Sequence, residues 1–169
     1  MYKTVLAVDI GTTSLKTAVI SNKKKELAFA QCPFTNPDSR YIALEWIKAL
    51  EKCVSDMGDA VKECKGVSVS GNGPTVVTED GSTVLWNAKA DSRFEINNTC
   101  NSLFLPKLVL LKGLYSKEFE ESSAIFSESL YSILLISFFM FDVNDIINLL
   151  KSSTILNCFV LLLSLHYEL

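Results

Sequence analysis

Six residues near the start of the chain have the types and spacing of a phosphate-handling turn. They are Asp9, Gly11, Thr12, Thr13, Ser14 and Lys16, inside AVDIGTTSLKTAVI, Ala7 to Ile20. A carboxylate closes one apolar run and three consecutive hydroxyl residues open the next. Gly11 lets the backbone turn tightly and admits a ligand where a Cβ would stand in the way. Thr12, Thr13 and Ser14 then offer successive backbone N–H groups and hydroxyls, which together make an anion cradle. Asp9 beside the cradle can hold Mg2+ through water, because Mg2+ gives up its waters reluctantly. Lys16 adds a positive charge near the same place. Phosphoryl transfer is mainly positioning and charge neutralisation, and these residues meet both demands. A capped hairpin with a convenient glycine accounts for a bare Asp-x-Gly. The longer run, at the first turn of the chain, favours the phosphate reading.

Such a turn needs strands to hold it. Thr4 to Val8 is a short apolar run rich in β-branched residues, the pattern of a strand covered on both faces. Leu15 to Ile20 is a second run. Ser21-Asn22-Lys23-Lys24-Lys25 is a polar turn with solvated charges, and Glu26 to Gln31 alternates as a third strand. The spacing predicts an antiparallel three-strand meander. After Pro33 and Pro37, Asp38 or Ser39 is expected to cap a helix that carries Trp46, Ile47, Leu50 and Val54 on one face. Val67 to Ser70, entered through Gly66, is a fourth strand, and so long a connection implies a parallel partner. The class is therefore α/β.

Further along, Gly71-Asn72-Gly73-Pro74 reads as a loop and Thr75 to Thr78 as a short strand. Glu79-Asp80-Gly81 is a hairpin turn with Thr83 to Trp86 as its second arm. Pro106 suits a first helical position, and that helix is expected to stop at Gly113. Ser116 to Phe126 reads as one further helix.

The chain has 169 residues, 49% of them hydrophobic, enough for one domain with a real core. A net charge of -3 argues against a nucleic-acid partner, which calls for a basic face. Five cysteines (Cys32, Cys53, Cys64, Cys100 and Cys158) form no C-x-x-C pair. They read as reduced thiols in a cytoplasmic protein. Met1-Tyr2-Lys3-Thr4 starts a strand-like run at once, so no secretory signal is read. Composition shifts near the end, where Ile133–Phe141 and Ser153–Leu165 are rich in Phe, Ile and Leu. A membrane span needs about 20 mostly apolar residues. Joining the two runs would bury Asp142, Asp145 and Lys151 at a few kcal/mol each, so a span is not favoured.

With these residues in view, AVDIGTTSLKTAVI resembles the first phosphate-binding hairpin of the FGGY family of carbohydrate kinases, which includes xylulokinase and glycerol kinase. Glu45–Leu50 (EWIKAL) resembles the helix after the family's third strand. Gly66–Arg93 resembles its strand, substrate loop, hairpin and W-…-D-x-R segment, and Phe104–Lys112 (FLPKLVLLK) is similar to the helix beyond. The ordered likeness runs from Met1 to about Ile136.

The resemblance implies a ribonuclease H-like, actin-like ATPase first lobe and ATP-dependent, Mg2+-dependent phosphorylation of a sugar or polyol hydroxyl. Asp9 matches the Mg2+-associated aspartate. Gly11, Thr12, Thr13 and Ser14 match the residues around the terminal phosphates. Lys16 stands where many members have arginine, a point charge in place of a fork. On the substrate side, Asn72, Gly73, Trp86, Asp91 and Arg93 take the matching positions. Pro74 stands where many xylulokinase-like members have histidine, so any sugar contact from that position is absent. Asn72 reads equally as a loop-stabilising amide, and Asp91 with Arg93 as a plain surface ion pair.

The family's catalytic aspartate lies further along than this sequence matches. Asp142 and Asp145 match no catalytic segment, and His166, the only histidine, is incidental. The expectation is an incomplete first lobe, 1–136, and an atypical apolar tail, 137–169, from an interrupted reading frame. Two other readings stand beside the kinase: a non-catalytic remnant that binds phosphate or a partner, and a small membrane-associated protein anchored by its tail. The sequence carries no signal for oligomeric state.

Overall fold

In the first seventy residues, strands whose alternate side chains are apolar stack against one amphipathic helix. The fold comes from a computed structural model, which describes residues 4–71, 73–89, 91–94 and 102–127. The chain divides into two compact units, residues 1–73 and 74–169.

In the first unit, β1 (Thr4–Ile10), β2 (Ser14–Ser21) and β3 (Glu26–Pro33) form the expected antiparallel meander. The chain then runs through α1 (Ile42–Met57) and α2 (Asp59–Lys62) to β4 (Cys64–Gly71), which pairs parallel to β1. The sheet order is β3-β2-β1-β4. A two-residue hairpin cannot join parallel strands, so the helical crossover is what allows β1 and β4 to lie side by side.

Period-two alternation sends Leu6, Val8 and Ile10 of β1 to one face, joined by Leu15, Thr17 and Val19 of β2 and Ala30 of β3, all buried. The helix α1 packs on β2 and β3 and buries Ile42, Ala43, Trp46, Ala49, Leu50, Cys53 and Met57. Each large side chain so buried contributes about 1.5–3 kcal/mol. Thr17 fits this apolar layer because its hydroxyl is satisfied, donating to the Ala30 carbonyl at 3.4 Å with Met57 Sδ at 3.7 Å. Val5 and Phe29 are exposed on the other face.

The entry to α1 differs from expectation. Neither Asp38 nor Ser39 is the N-cap residue: that position is Tyr41, whose own side chain makes no capping bond. The Ser39 hydroxyl instead accepts the Tyr41 N–H at 3.2 Å. Glu45, in the first helical turn, accepts the Thr35 N–H at 2.8 Å and ties the incoming loop to the helix. At the far end Gly58 adopts φ 56, a left-handed position that suits glycine, and its N–H satisfies the last carbonyls of α1.

In the second unit, β5 (Val76–Thr78) lies between β6 (Thr83–Val84) and β7 (Ile125–Ser127), antiparallel to both. The β5–β6 turn is closed by Asp80, whose carboxylate accepts the Ser82 N–H and the Thr78 and Ser82 hydroxyls. Two helices, α3 (Leu105–Leu114) and α4 (Ser116–Glu121), complete the unit. Its core is Val76, Val84, Leu108, Leu110, Leu111, Phe119 and Ile125. Two expectations are corrected here. The helix α3 continues through Gly113, and the segment after Ser116 is a short helix followed by a strand rather than one helix. The expected tail, 137–169, lies outside the described residues. Among the described residues no helix is long and apolar enough to cross a membrane.

Candidate functional site

The turn from β1 to β2 is a three-residue loop, Gly11-Thr12-Thr13. It is closed by the Gly11 N–H donating to the Ser14 carbonyl at 2.9 Å. A Cβ on Gly11 would lie 2.9 Å from that same oxygen. Glycine is therefore set by the closeness of the two strands. The Thr13 carbonyl accepts the Phe34 N–H at 2.9 Å, and Phe34 is buried, so the loop is tied to the chain that leaves β3. Thr12 and Thr13 are exposed. Ser14 is buried and its hydroxyl accepts from Gln31 Nε2 at 3.1 Å. The loop thus presents two threonines outward, while the serine is engaged within the sheet.

Asp9 stands one residue before the end of β1. It pairs with Lys16 of β2 on one side and Ser70 of β4 on the other, and all three are exposed. Alternation puts them on the face opposite α1. Directly opposed residues hold their Cβ atoms about 4.5–5.5 Å apart, so a carboxylate and an ammonium share one end of the sheet. This end is also where parallel strands β1 and β4 finish, a usual place for ligands in α/β sheets.

Among the described residues no three His, Cys, Asp or Glu side chains come together as a metal site. Mg2+ on a nucleotide, however, uses one or two carboxylates plus the ligand's own phosphates and keeps several waters. One exposed carboxylate beside an exposed hydroxyl turn fits that mode of binding.

The second unit carries Trp86, Asp91 and Arg93 of the residues singled out in the sequence. Trp86 is 42% exposed, and its backbone N–H donates to Thr75 Oγ1 at 3.0 Å. Asp91 and Arg93 are bonded to each other: Nε to Oδ1 at 3.0 Å and the terminal nitrogen to Oδ2 at 2.6 Å. The Arg93 backbone N–H also donates to Oδ1 at 3.0 Å. The Arg93 guanidinium bonds, followed by its backbone N–H, hold the Asp91 carboxyl down to about 2. Of the two sequence readings for this pair, the ion pair is present. Arg93 also lies over the Phe94 ring, 5.2 Å from its centroid. Gly73 is exposed with φ 64, a backbone position open to glycine, and Asn72 lies outside the described residues.

Three supporting residues escaped the sequence reading. Gln31 and Phe34 brace the first turn. Lys107, on α3, donates to the Ala88 carbonyl at 2.7 Å. No local signal ties a lysine to a carbonyl 19 residues away.

No protein-family model and no curated protein matches the sequence. Solved structures do match. A gluconate kinase from Lactobacillus acidophilus aligns at 15% identity and a TM-score of 0.60, over 81% of this chain and 33% of its own. A xylulose kinase from Rhodospirillum rubrum aligns at 16% identity and 0.61, over 79% and 34%. A "xyloylose kinase" from Brucella ovis aligns at 20% identity and 0.56, over 76% and 33%. The chain has the fold of part of these carbohydrate kinases and spans about a third of their length.

Proposed function

We propose that the chain is part of an FGGY-type carbohydrate kinase, with a ribonuclease H-like first lobe, that uses MgATP to phosphorylate a sugar or polyol hydroxyl in the cytoplasm. The observation that carries this reading is the fold shared with three sugar-kinase structures over most of the described chain. The sheet order β3-β2-β1-β4, with only β1 and β4 parallel, supports the lobe assignment.

In this reading Thr12 and Thr13 receive the terminal phosphates through backbone N–H groups and hydroxyls, while Gly11, whose N–H is given to the Ser14 carbonyl, lets the phosphates approach without a Cβ in the way. Ser14 acts from within the strand, keeping the turn's shape through Gln31. Lys16 neutralises charge on the phosphates, and Asp9 is the residue that would hold Mg2+ through water. Mg2+, when bound, would supply further charge neutralisation. In the second unit Trp86, Asp91 and Arg93 are assigned to sugar binding: Trp86 offers an exposed apolar face, and Arg93 keeps N–H donors beyond those given to Asp91. The proton acceptor for the sugar hydroxyl is assigned to the complete kinase, so these residues bind but do not turn over.

Isothermal titration calorimetry tests this reading. MgATP is expected to bind with an affinity that falls when Mg2+ is chelated, and D-xylulose or D-gluconate to bind independently. A chain that takes up MgATP without any sugar would be a phosphate-binding remnant. Absence of both would refute the kinase reading.

A further inference from the structure

We propose that Lys107 is a positioning residue for the segment from Trp86 to Phe94, and through it for the Asp91–Arg93 pair; its link to sugar rests on the function proposed above. Two contacts from α3 fix the segment. At one end Lys107 Nζ donates to the Ala88 carbonyl at 2.7 Å. At the other, Gly113 lies under the Phe94 ring, where an added Cβ would sit 2.5 Å from a ring carbon. Ala88 and Phe94 are both partly buried against the core that α3 builds. Between these pins, Phe94 N–H donates to the Asp91 carbonyl at 2.9 Å and closes the single 3-10 turn Ser92–Phe94.

A lysine ordinarily carries its charged end out to water. Lys107 is half-buried instead, and burial alone pushes its ammonium below the usual lysine range. Burial of this kind disfavours the charged head, and a charge-assisted bond to a carbonyl offsets part of that cost. An apolar residue would leave the Ala88 carbonyl without this donor. The bond therefore holds the chain at Ala88, one of the two pins on either side of Asp91 and Arg93.

The test compares Lys107→Met, which keeps length and loses the donor, with Lys107→Arg, which keeps a donor, by backbone amide hydrogen exchange in the 169-residue chain. Lys107→Met should speed exchange at Phe94 and Arg93 by about tenfold, while α1 and the β1–β3 amides keep their rates. Lys107→Arg should restore those two amides to within about twofold of the unsubstituted chain, a rescue that a purely volume-filling role would not give. Equal rates at Phe94 in all three proteins would overturn the proposal, as would a uniform speeding across the second unit in both variants. D-xylulose titration separates the two levels. Selective loosening at Phe94 in a chain that binds no sugar keeps Lys107 as the segment's anchor and removes the sugar assignment. Equal sugar affinity in the unsubstituted chain and Lys107→Met removes the positioning role for the ligand.

Discussion

Asp9 and Lys16 are directly opposed across the β1–β2 ladder, both exposed, at the end of the sheet where the loop Gly11-Thr12-Thr13 turns. An exposed cross-strand charge pair contributes only about 0.2–1 kcal/mol to a sheet, so stability gives little reason for the pairing. The function proposed above gives another, since a site for a metal-bound polyphosphate needs one group for the cation and one for the anion. Asp9→Asn should therefore abolish the Mg2+ dependence of ATP binding, and Lys16→Met should weaken MgATP binding by about tenfold or more. Each should shift unfolding free energy by less than about 1 kcal/mol. Calorimetry alongside urea unfolding checks both. Loss of binding together with loss of the fold would assign the pair to structure.

Gly11 and Gly66 give a matched contrast. A Cβ at Gly11 would meet the Ser14 carbonyl at 2.9 Å, whereas nothing lies within 4 Å of one at Gly66. Gly11→Ala should destabilise the first unit by about 1–3 kcal/mol, because the backbone itself would have to move. Gly66→Ala should be neutral or stabilise by up to about 1 kcal/mol, since it restricts the unfolded chain at no steric cost. Urea midpoints of the two variants decide the point. The order of effects matters more than their size.

The meander was legible because each strand is an apolar run bounded by polar turn residues, and the long return to β4 required a parallel neighbour. The entry to α1 was not. Two residues of good capping type precede it, yet Ser39 bonds the Tyr41 N–H and the anchoring carboxylate is Glu45, inside the helix. Gly113 reads locally as a helix stop; the Phe94 ring fills the space its missing side chain leaves, and α3 ends one residue later, at Leu114. The stretch after Ser116 has helical residues throughout. It breaks at Ser122, in extended conformation, so that β7 can pair with β5 some fifty residues earlier in sequence, and no local period encodes such a pairing. Around the candidate site, the strand that ends just after Asp9 and the turn that follows it were readable from residue type and order. The inward engagement of Ser14 and the reach of Lys107 were not, because both partners are distant in sequence.

Asp91 should resist protonation. Its carboxyl is held down to about 2 by the Arg93 side chain and backbone N–H, below the ordinary aspartate value near 3.8. A depressed folded value means that the ion pair's contribution is fully present above about pH 4 and is lost as pH falls toward 2. Any ligand contact made by the pair should therefore be constant from pH 5 to pH 8, a window chosen well above that titration. A 13C titration of the Asp91 carboxyl should give a midpoint near 2 in the unsubstituted chain and a clear rise toward the ordinary range in Arg93→Gln. An unchanged midpoint in that variant would mean that the guanidinium is not the cause.

Gly113 and Phe94 should behave as one unit. Replacing a helical glycine by alanine ordinarily gains up to about 1 kcal/mol from propensity. Here the new methyl would sit 2.5–2.6 Å from three Phe94 ring atoms, too close for real contact. Gly113→Ala alone should therefore destabilise the second unit by about 1–3 kcal/mol through overpacking. Phe94→Ala alone should also destabilise, by removing a ring packed on the core. In the double variant the methyl no longer meets a ring and the helix keeps its propensity gain. The two losses should then fall short of additivity by about 1–3 kcal/mol, measured as a double-mutant cycle in urea. Additive losses would mean that the ring does not press on the helix at Gly113. Anchoring of the Asp91–Arg93 turn by α3 would then rest on Lys107 alone.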